Sequence, residues 1–400
     1  MDISKPYLFI EINNEELIFL VVKYNENLDF QVLESVVSKS EGVENGKIID
    51  VSLSSKIIKT QLNSIEKKIK FIFKTATIIN NQENLECISV SGFKKLNGSQ
   101  ISNEDIFYIL NNIKKLVLDS HPFKSLIHLF NSDFTLDKVA LKNPPIGLYG
   151  EFYNQHLTFF LLPKNEVKNI KVVLNNCGIN IERIILKSFV ENLEKIKQNK
   201  TEEILISIKL GKVKSNISIF YKSSFIYSEN FKFGSDMIIK DISKLCSLSS
   251  STVRKIFSTI CFDDFLNIKD EEFLDKKYFK DSLFRKISIP HLNNIISARA
   301  RELVEIIYKK NINLKYLNKM KKNTHLSFED RSVYESLKET FKDILPASDM
   351  KSCTEITQDE HSKACYASAK LIGAGWEREA IPIIQTKKSS ISKFFSYIFK

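Results

Sequence analysis

The feature that most restricts the fold is a pattern that occurs twice. Three short β-rich runs, Tyr7–Ile12, Leu17–Lys23 and Phe30–Ser38, follow one another across polar turns near the start of the chain. Three more, Ile204–Leu210, Ile217–Tyr221 and Phe225–Phe233, follow one another in the middle. Each set reads as a three-stranded meander and each leads into helical periodicity. Meanders that continue into helices must bury one sheet face under those helices, so the pattern predicts a duplicated, two-lobed α/β architecture. The polar segment Gln198–Glu203 is the expected joint.

Between the meanders, Ile57, Ile58, Leu62, Ile65, Ile69 and Ile72 recur at helical spacing and predict a helix over 52–74. An independent α+β unit is expected over 85–162. Within it Ser102 is placed to cap a helix whose Ile106, Ile109, Leu110, Ile113, Leu116 and Val117 form one stripe. Strands near 123–130 and 148–162 flank that helix. A further helix is expected over 291–310, and 263–282, dense in Asp, Glu and Lys, reads as an exposed excursion.

Composition excludes several function classes. Hydrophobic residues make up 43% of the 400, which is enough for large cores and argues against global disorder. The net charge of +11 is spread mostly as Lys, without an arginine-rich or aromatic-flanked basic stripe, so no nucleic acid partner is expected. The six Cys lack any CxxC and have no His at metal-ligand spacing, so they read as reduced thiols and no metal site is expected. The six His stand apart from any nucleophile motif, and no catalytic residue is assigned. The longest apolar runs, such as Leu17–Val22, are too short to span a bilayer, so membrane contact would be peripheral.

Four segments, in this order, resemble the bacterial cell-division actin homologue FtsA. They are Gly42–Asp50 before the first long helix, Pro145–Gly150 leading to Cys177-Gly178-Ile179, Phe233–Ile242, and the last dozen residues. The resemblance implies an actin-like, ribonuclease H-like duplicated fold with an inserted α+β subdomain in the first lobe. On that basis 1–84 is the first part of lobe one, 85–162 the inserted subdomain, and 163–202 the returning part of lobe one. Lobe two is then 203–376, with a linker at 377–388 and a membrane-targeting helix at 389–400. It further implies a peripheral protein at the division site on the cytoplasmic face of the inner membrane. Its partners would be the FtsZ C-terminal peptide, further copies of itself, anionic lipid and other divisome proteins.

Members of such a family bind ATP, yet the phosphate-binding positions here are altered. Actin-like proteins hold phosphates with glycine-rich hairpins, because only Gly lets backbone N–H groups approach the oxygens closely. The chain has only 11 Gly, where about 28 would be ordinary for its length. The first hairpin stands as Glu11-Ile12-Asn13-Asn14-Glu15-Glu16 and the second as Lys209-Leu210-Gly211-Lys212-Val213-Lys214-Ser215-Asn216. The adenosine loop would fall at Thr324–Phe328, without glycine. Gly211, Asn216, Gly234 and Asp236 are what is left of the expected site. Gly234 and Asp236 are equally explained as a turn glycine and a helix cap. ATP binding is therefore expected to be weak or lost, and ATPase activity absent. A working ATPase with unorthodox phosphate contacts and a pilus-assembly actin homologue are the alternatives.

At the C-terminus Ile391, Phe394, Phe395, Ile398 and Phe399 fall at i, i+3, i+4, i+7 and i+8, one face of a helix. With Lys387, Lys388 and Lys393 they form the expected membrane-binding surface. The single Trp, Trp376, is expected to anchor its segment against the second lobe.

Overall fold

The structure, a computed structural model, describes residues 2–81, 83–199, 203–259, 273–278, 286–317, 320–329, 341–345, 349–355, 362–376 and 379–380. All eight expected membrane-binding residues, from Lys387 to Phe399, lie outside the described residues, as does most of 263–282. The described chain forms two compact units. The first takes in the described parts of 1–201, 220–228 and 359–380, and the second those of 202–219 and 229–358.

The first unit opens with β1 (Pro6–Ile12), β2 (Glu16–Tyr24) and β3 (Phe30–Lys39), the expected meander. The short pair β4 (Val43–Glu44) and β5 (Lys47–Ile48) precedes helix α1 (Val51–Ile69), which Asp50 caps by accepting from the Leu53 amide. The helix is shorter than the apolar spacing predicts. Lys70 turns to left-handed backbone at φ 56°, Ile72 is exposed, and Thr75–Asn80 forms β6, a strand the sequence reading does not assign.

The chain then enters the inserted region: β7 (Glu86–Lys95), α2 (Asn103–Ser120), β8 (Lys124–Leu136), β9 (Val139–Leu141) and β10 (Phe152–Pro163). It returns through α3 (Lys164–Asn176), β11 (Asn180–Leu186), α4 (Lys187–Val190) and α5 (Leu193–Gln198). In the main sheet β1 is central, with the order β11-β6-β1-β2-β3. The meander is antiparallel, whereas β6 runs parallel to both β1 and β11.

The inserted region builds its own sheet from β7, β10 and β8, with β9 paired to β8. Ile106, Ile109, Leu110, Ile113 and Val117 of α2 pack on one face of it. Gly92 makes the close approach possible, because a Cβ there would sit 2.2 Å from the Ile113 side chain. Ser102 caps α2 as expected and forms a reciprocal capping box with Asp105. Asp105 also binds Lys94 at 2.5 Å. Burial alone would raise the Asp105 pKa, but the hydrogen bonds from Lys94 and Ser102 outweigh it and hold the carboxyl below 3.8.

The second unit is built on β12 (Ile204–Leu210), β13 (Ser215–Tyr221) and β14 (Ser224–Phe231), the expected second meander. Helices α6 (Asp236–Leu245), α7 (Ser250–Thr259), α8 (Ile289–Val304) and α9 (Ile312–Lys315) follow, and then strands β15 (Lys322–Phe328) and β16 (Met350–Glu355). The sheet order is β14-β13-β12-β15-β16, which repeats the order of the first unit strand for strand. Here too the fourth strand lies parallel to the first and to the fifth. Thr324–Phe328, expected as the adenosine loop, is instead the body of β15. Leu326 and Phe328 are buried there, paired to β12 and β16.

The tip of the β13–β14 hairpin belongs to the first unit's core. Phe225 stacks on Phe160 with ring centroids 4.3 Å apart and lies edge-on to Phe130, while Lys222 pairs with Asp133. Helix α10 (Lys363–Ala374) and the short β17 (Glu379–Ala380), which joins the edge of β8, complete this unit. Trp376 does anchor its segment, but within the first unit. Its indole donates to the Ser223 carbonyl at 2.7 Å and meets Phe189 edge-on.

Removing the Phe225 ring should cost about 3–5 kcal/mol of unfolding free energy, read as a lowered midpoint in urea. Ser102→Ala should cost about 1 kcal/mol. Because the Asp105 pKa is depressed, its share of stability is full above 3.8 and declines as pH falls through the folded value. Asp105→Asn should therefore cost most at neutral pH and progressively less in acid, as urea titrations at two pH values would report.

Candidate functional site

Open α/β sheets bind ligands beyond the carboxyl ends of their parallel strands. In the first unit those ends are Ile12 of β1, Asn80 of β6 and Leu186 of β11. The penultimate residue of β1, Glu11, is fully buried. Its Oε1 accepts from Lys187 Nζ and from Asn13 Nδ2, both at 2.5 Å. Lys187 directly follows β11, and its ammonium also lies 3.5 Å from Glu191 Oε1. From α10, Cys365 Sγ lies 3.9 Å from Glu11 Oε2. Burial, and next the Glu11 charge, push the Cys365 thiol far above its ordinary range.

The β1–β2 turn that corresponds to the first phosphate hairpin is closed on itself. The Asn13 amide donates to the Glu16 carbonyl, and Asn14 Oδ1 accepts from the Gly46 amide at 2.8 Å. Glu15 is exposed and Glu16 half-buried. Asn80 Nδ2 donates to the Gly46 carbonyl, and its buried Oδ1 has no hydrogen-bond partner.

In the second unit Gly211 begins the β12–β13 turn and its amide donates to the Lys214 carbonyl. The turn is folded down on the start of α6: the Ser235 and Asp236 amides donate to the Gly211 and Lys212 carbonyls, at 3.0 and 2.9 Å. Gly234 is required for this, since a Cβ there would stand 2.2 Å from the Gly211 carbonyl oxygen. Two donors at a helix N-terminus that would suit an anion are therefore spent on the protein's own backbone.

Of the expected site residues, Gly211, Gly234 and Asp236 come together at this turn, but Asp236 is not the helix cap. It is the first helical residue, and its carboxylate pairs with Arg254 at 2.5 Å. Asn216 belongs to a different neighbourhood, donating to the Glu229 carbonyl and to Asn230 Oδ1 on β14. Lys209 is paired with Glu329 at 3.3 Å.

Sequence reasoning missed Lys187 and Arg254. The available signal for Lys187 was a charged residue immediately after the apolar strand end Ile184-Ile185-Leu186. His128, one of the scattered histidines, is a satisfied core residue whose Nε2 accepts from the Leu186 amide at 3.1 Å. No group of His, Cys, Asp and Glu suited to a metal ion occurs among the described residues. Nor is any described helix long and apolar enough to cross a membrane.

No protein-family model matches the chain. Seven curated proteins match it in sequence, each a cell division protein FtsA. The chain is similar to FtsA at low identity, 15–21%. It is 20% identical to the FtsA of Enterococcus hirae over 301 residues, covering 74% of this chain and 67% of that protein. To the FtsA of Buchnera aphidicola (subsp. Acyrthosiphon pisum) it is 18% identical over 249 residues, covering 62% of this chain and 59% of that protein. The chain thus spans between about half and two thirds of the length of the FtsA proteins it matches. Among solved structures, the PilM–PilN type IV pilus biogenesis complex superposes with a TM-score of 0.54 at 9% identity, covering 92% of this chain and 98% of that one. The shared architecture is the actin-like ATPase fold, in agreement with the duplicated strand order.

Cys365 offers a direct check on the buried cluster at Glu11. The thiolate is the reactive form, so a thiol held protonated by burial and a neighbouring carboxylate should resist iodoacetamide in the native protein at pH 8. Peptide mass spectrometry should find Cys365 modified only after unfolding. Rapid native labelling would contradict the packing described.

Proposed function

We propose that the chain is a cell-division cytoskeletal adaptor of the FtsA kind, tethering FtsZ to the inner face of the cytoplasmic membrane and polymerising there. The observation that carries this reading is the likeness to FtsA proteins over 52–74% of the chain, joined to the duplicated fold with its inserted α+β region. In this reading the partners are the C-terminal peptide of FtsZ, further copies of the chain, anionic lipid and other divisome proteins. The protein works at the division site.

The tail supplies the membrane contact. Ile391, Phe394, Phe395, Ile398 and Phe399 would enter the interface, while Lys387, Lys388 and Lys393 each add about 1 kcal/mol near anionic headgroups. Interfacial burial is partial and ordering a dozen residues costs about 1 kcal/mol each or more, so one tail holds weakly. Many tails on one polymer hold firmly. A pilus-assembly role is supported by the shared fold alone. A working ATPase is disfavoured by the β12–β13 turn, which uses the Ser235 and Asp236 amides at the start of α6, and by the glycines replaced in both turns, so we propose weak or absent nucleotide binding and no ATP hydrolysis.

Liposome flotation tests the tether. The wild-type protein should float with anionic vesicles and carry purified FtsZ with it. Phe394→Glu with Phe395→Glu should stay at the bottom of the gradient while keeping the wild-type melting curve. Flotation of the double variant, or recruitment of FtsZ without flotation, contradicts the tethering role.

A further inference from the structure

The strand-end crevice of the first unit holds charge in an arrangement of its own. Glu11 has no exposure, and the Lys187 side chain has 14%. A carboxylate in that position needs a cation or a proton, because an isolated buried charge is far too costly to keep. In an open α/β sheet this is where a ligand or its counter-ion would sit. Here the cation is covalently part of the chain, delivered by the residue that follows β11 and held at 2.5 Å.

We propose that Lys187 is the resident counter-cation of this crevice, standing in charge and place where a divalent ion would neutralise Glu11, so that the first unit keeps its shape without metal or nucleotide. The group of Glu11, Lys187 and Glu191 carries a net charge of −1, which repels phosphate rather than attracting it. A divalent ion could bind Glu11 only by displacing the ammonium from its closest carboxylate. Asn13 donates to the same oxygen as Lys187, and Cys365 Sγ lies 3.9 Å from the other. A nucleotide–magnesium complex therefore does not fit the residues present. The inference concerns the first unit alone and stands whether or not the chain tethers FtsZ.

A thermal-melt cycle on the full chain tests it. Lys187→Met, which strands a buried carboxylate, should lower the melting temperature by several degrees. Glu11→Gln should lower it too, and the pair Glu11→Gln/Lys187→Met should lose clearly less than the sum. Magnesium chloride alone at millimolar concentration should raise the melting temperature of Lys187→Met, because an unpaired carboxylate is then open to it. It should leave the wild type, Lys187→Arg and the double variant unmoved, and adding ATP with magnesium should not stabilise the wild type. If Lys187→Met does not fold, the double variant still should, since it buries no net charge. Additive losses, a Lys187→Met melt that ignores magnesium, an unfolded double variant, or a wild-type shift with magnesium or its ATP complex each overturns the proposal.

Discussion

A fully buried carboxylate at the end of the central strand is the constraint around which the first unit is arranged. Glu11 makes the carboxyl ends of β1 and β11 depend on each other, because the strand ending at Leu186 must deliver Lys187 to within hydrogen-bond reach. It also reaches α10 through Cys365, and Tyr24 ties the same helix down by donating to the Ala369 carbonyl at 2.8 Å. Residues at the two ends of the sequence thereby share one core. Removing one member of a buried pair commonly costs about 3–5 kcal/mol, which is large beside the total stability of a domain.

A second constraint is aromatic. The hairpin tip at 220–228 brings Phe225 onto Phe160 and Phe130, with Phe189 stacked 6.0 Å from Phe225 and Trp376 edge-on to Phe189. Phe, with no polar atom to satisfy, can be buried in this number without loss of hydrogen bonds. The composition, 29 Phe in 400 residues, is spent partly on this cluster. It joins β8 and β10 of the inserted sheet to α4 and to the segment that ends in Trp376.

How much could be read in advance follows the range of each interaction. Meanders and the capped α2 are local, and alternation or a Ser102 cap announces them. The apolar spacing continues through Ile72 and so extends the expected helix past Ile69, whereas the decisive event is the left-handed turn at Lys70, for which a lysine gives no warning. Strand β15 lies where likeness to a glycine-containing segment places a loop. Its alternating partners, β12 and β16, are distant in sequence. The Glu11–Lys187 pair spans 176 residues, so no local pattern could expose it. At the second hairpin the loss of glycines was legible, but its consequence was not. The turn did not open; it bonded to the amides at the start of α6, and Gly234 is kept for that contact.

Together these features describe an actin-like fold in which Lys187 is paired with Glu11 and the β12–β13 turn is bonded to the start of α6. Hydrogen–deuterium exchange on the full protein, with and without millimolar ATP and magnesium, examines both turns at once. The account predicts unchanged exchange in peptides covering Glu11–Glu16, Lys187–Glu191 and Gly211–Asp236. Slower exchange in those peptides on adding the nucleotide would contradict it.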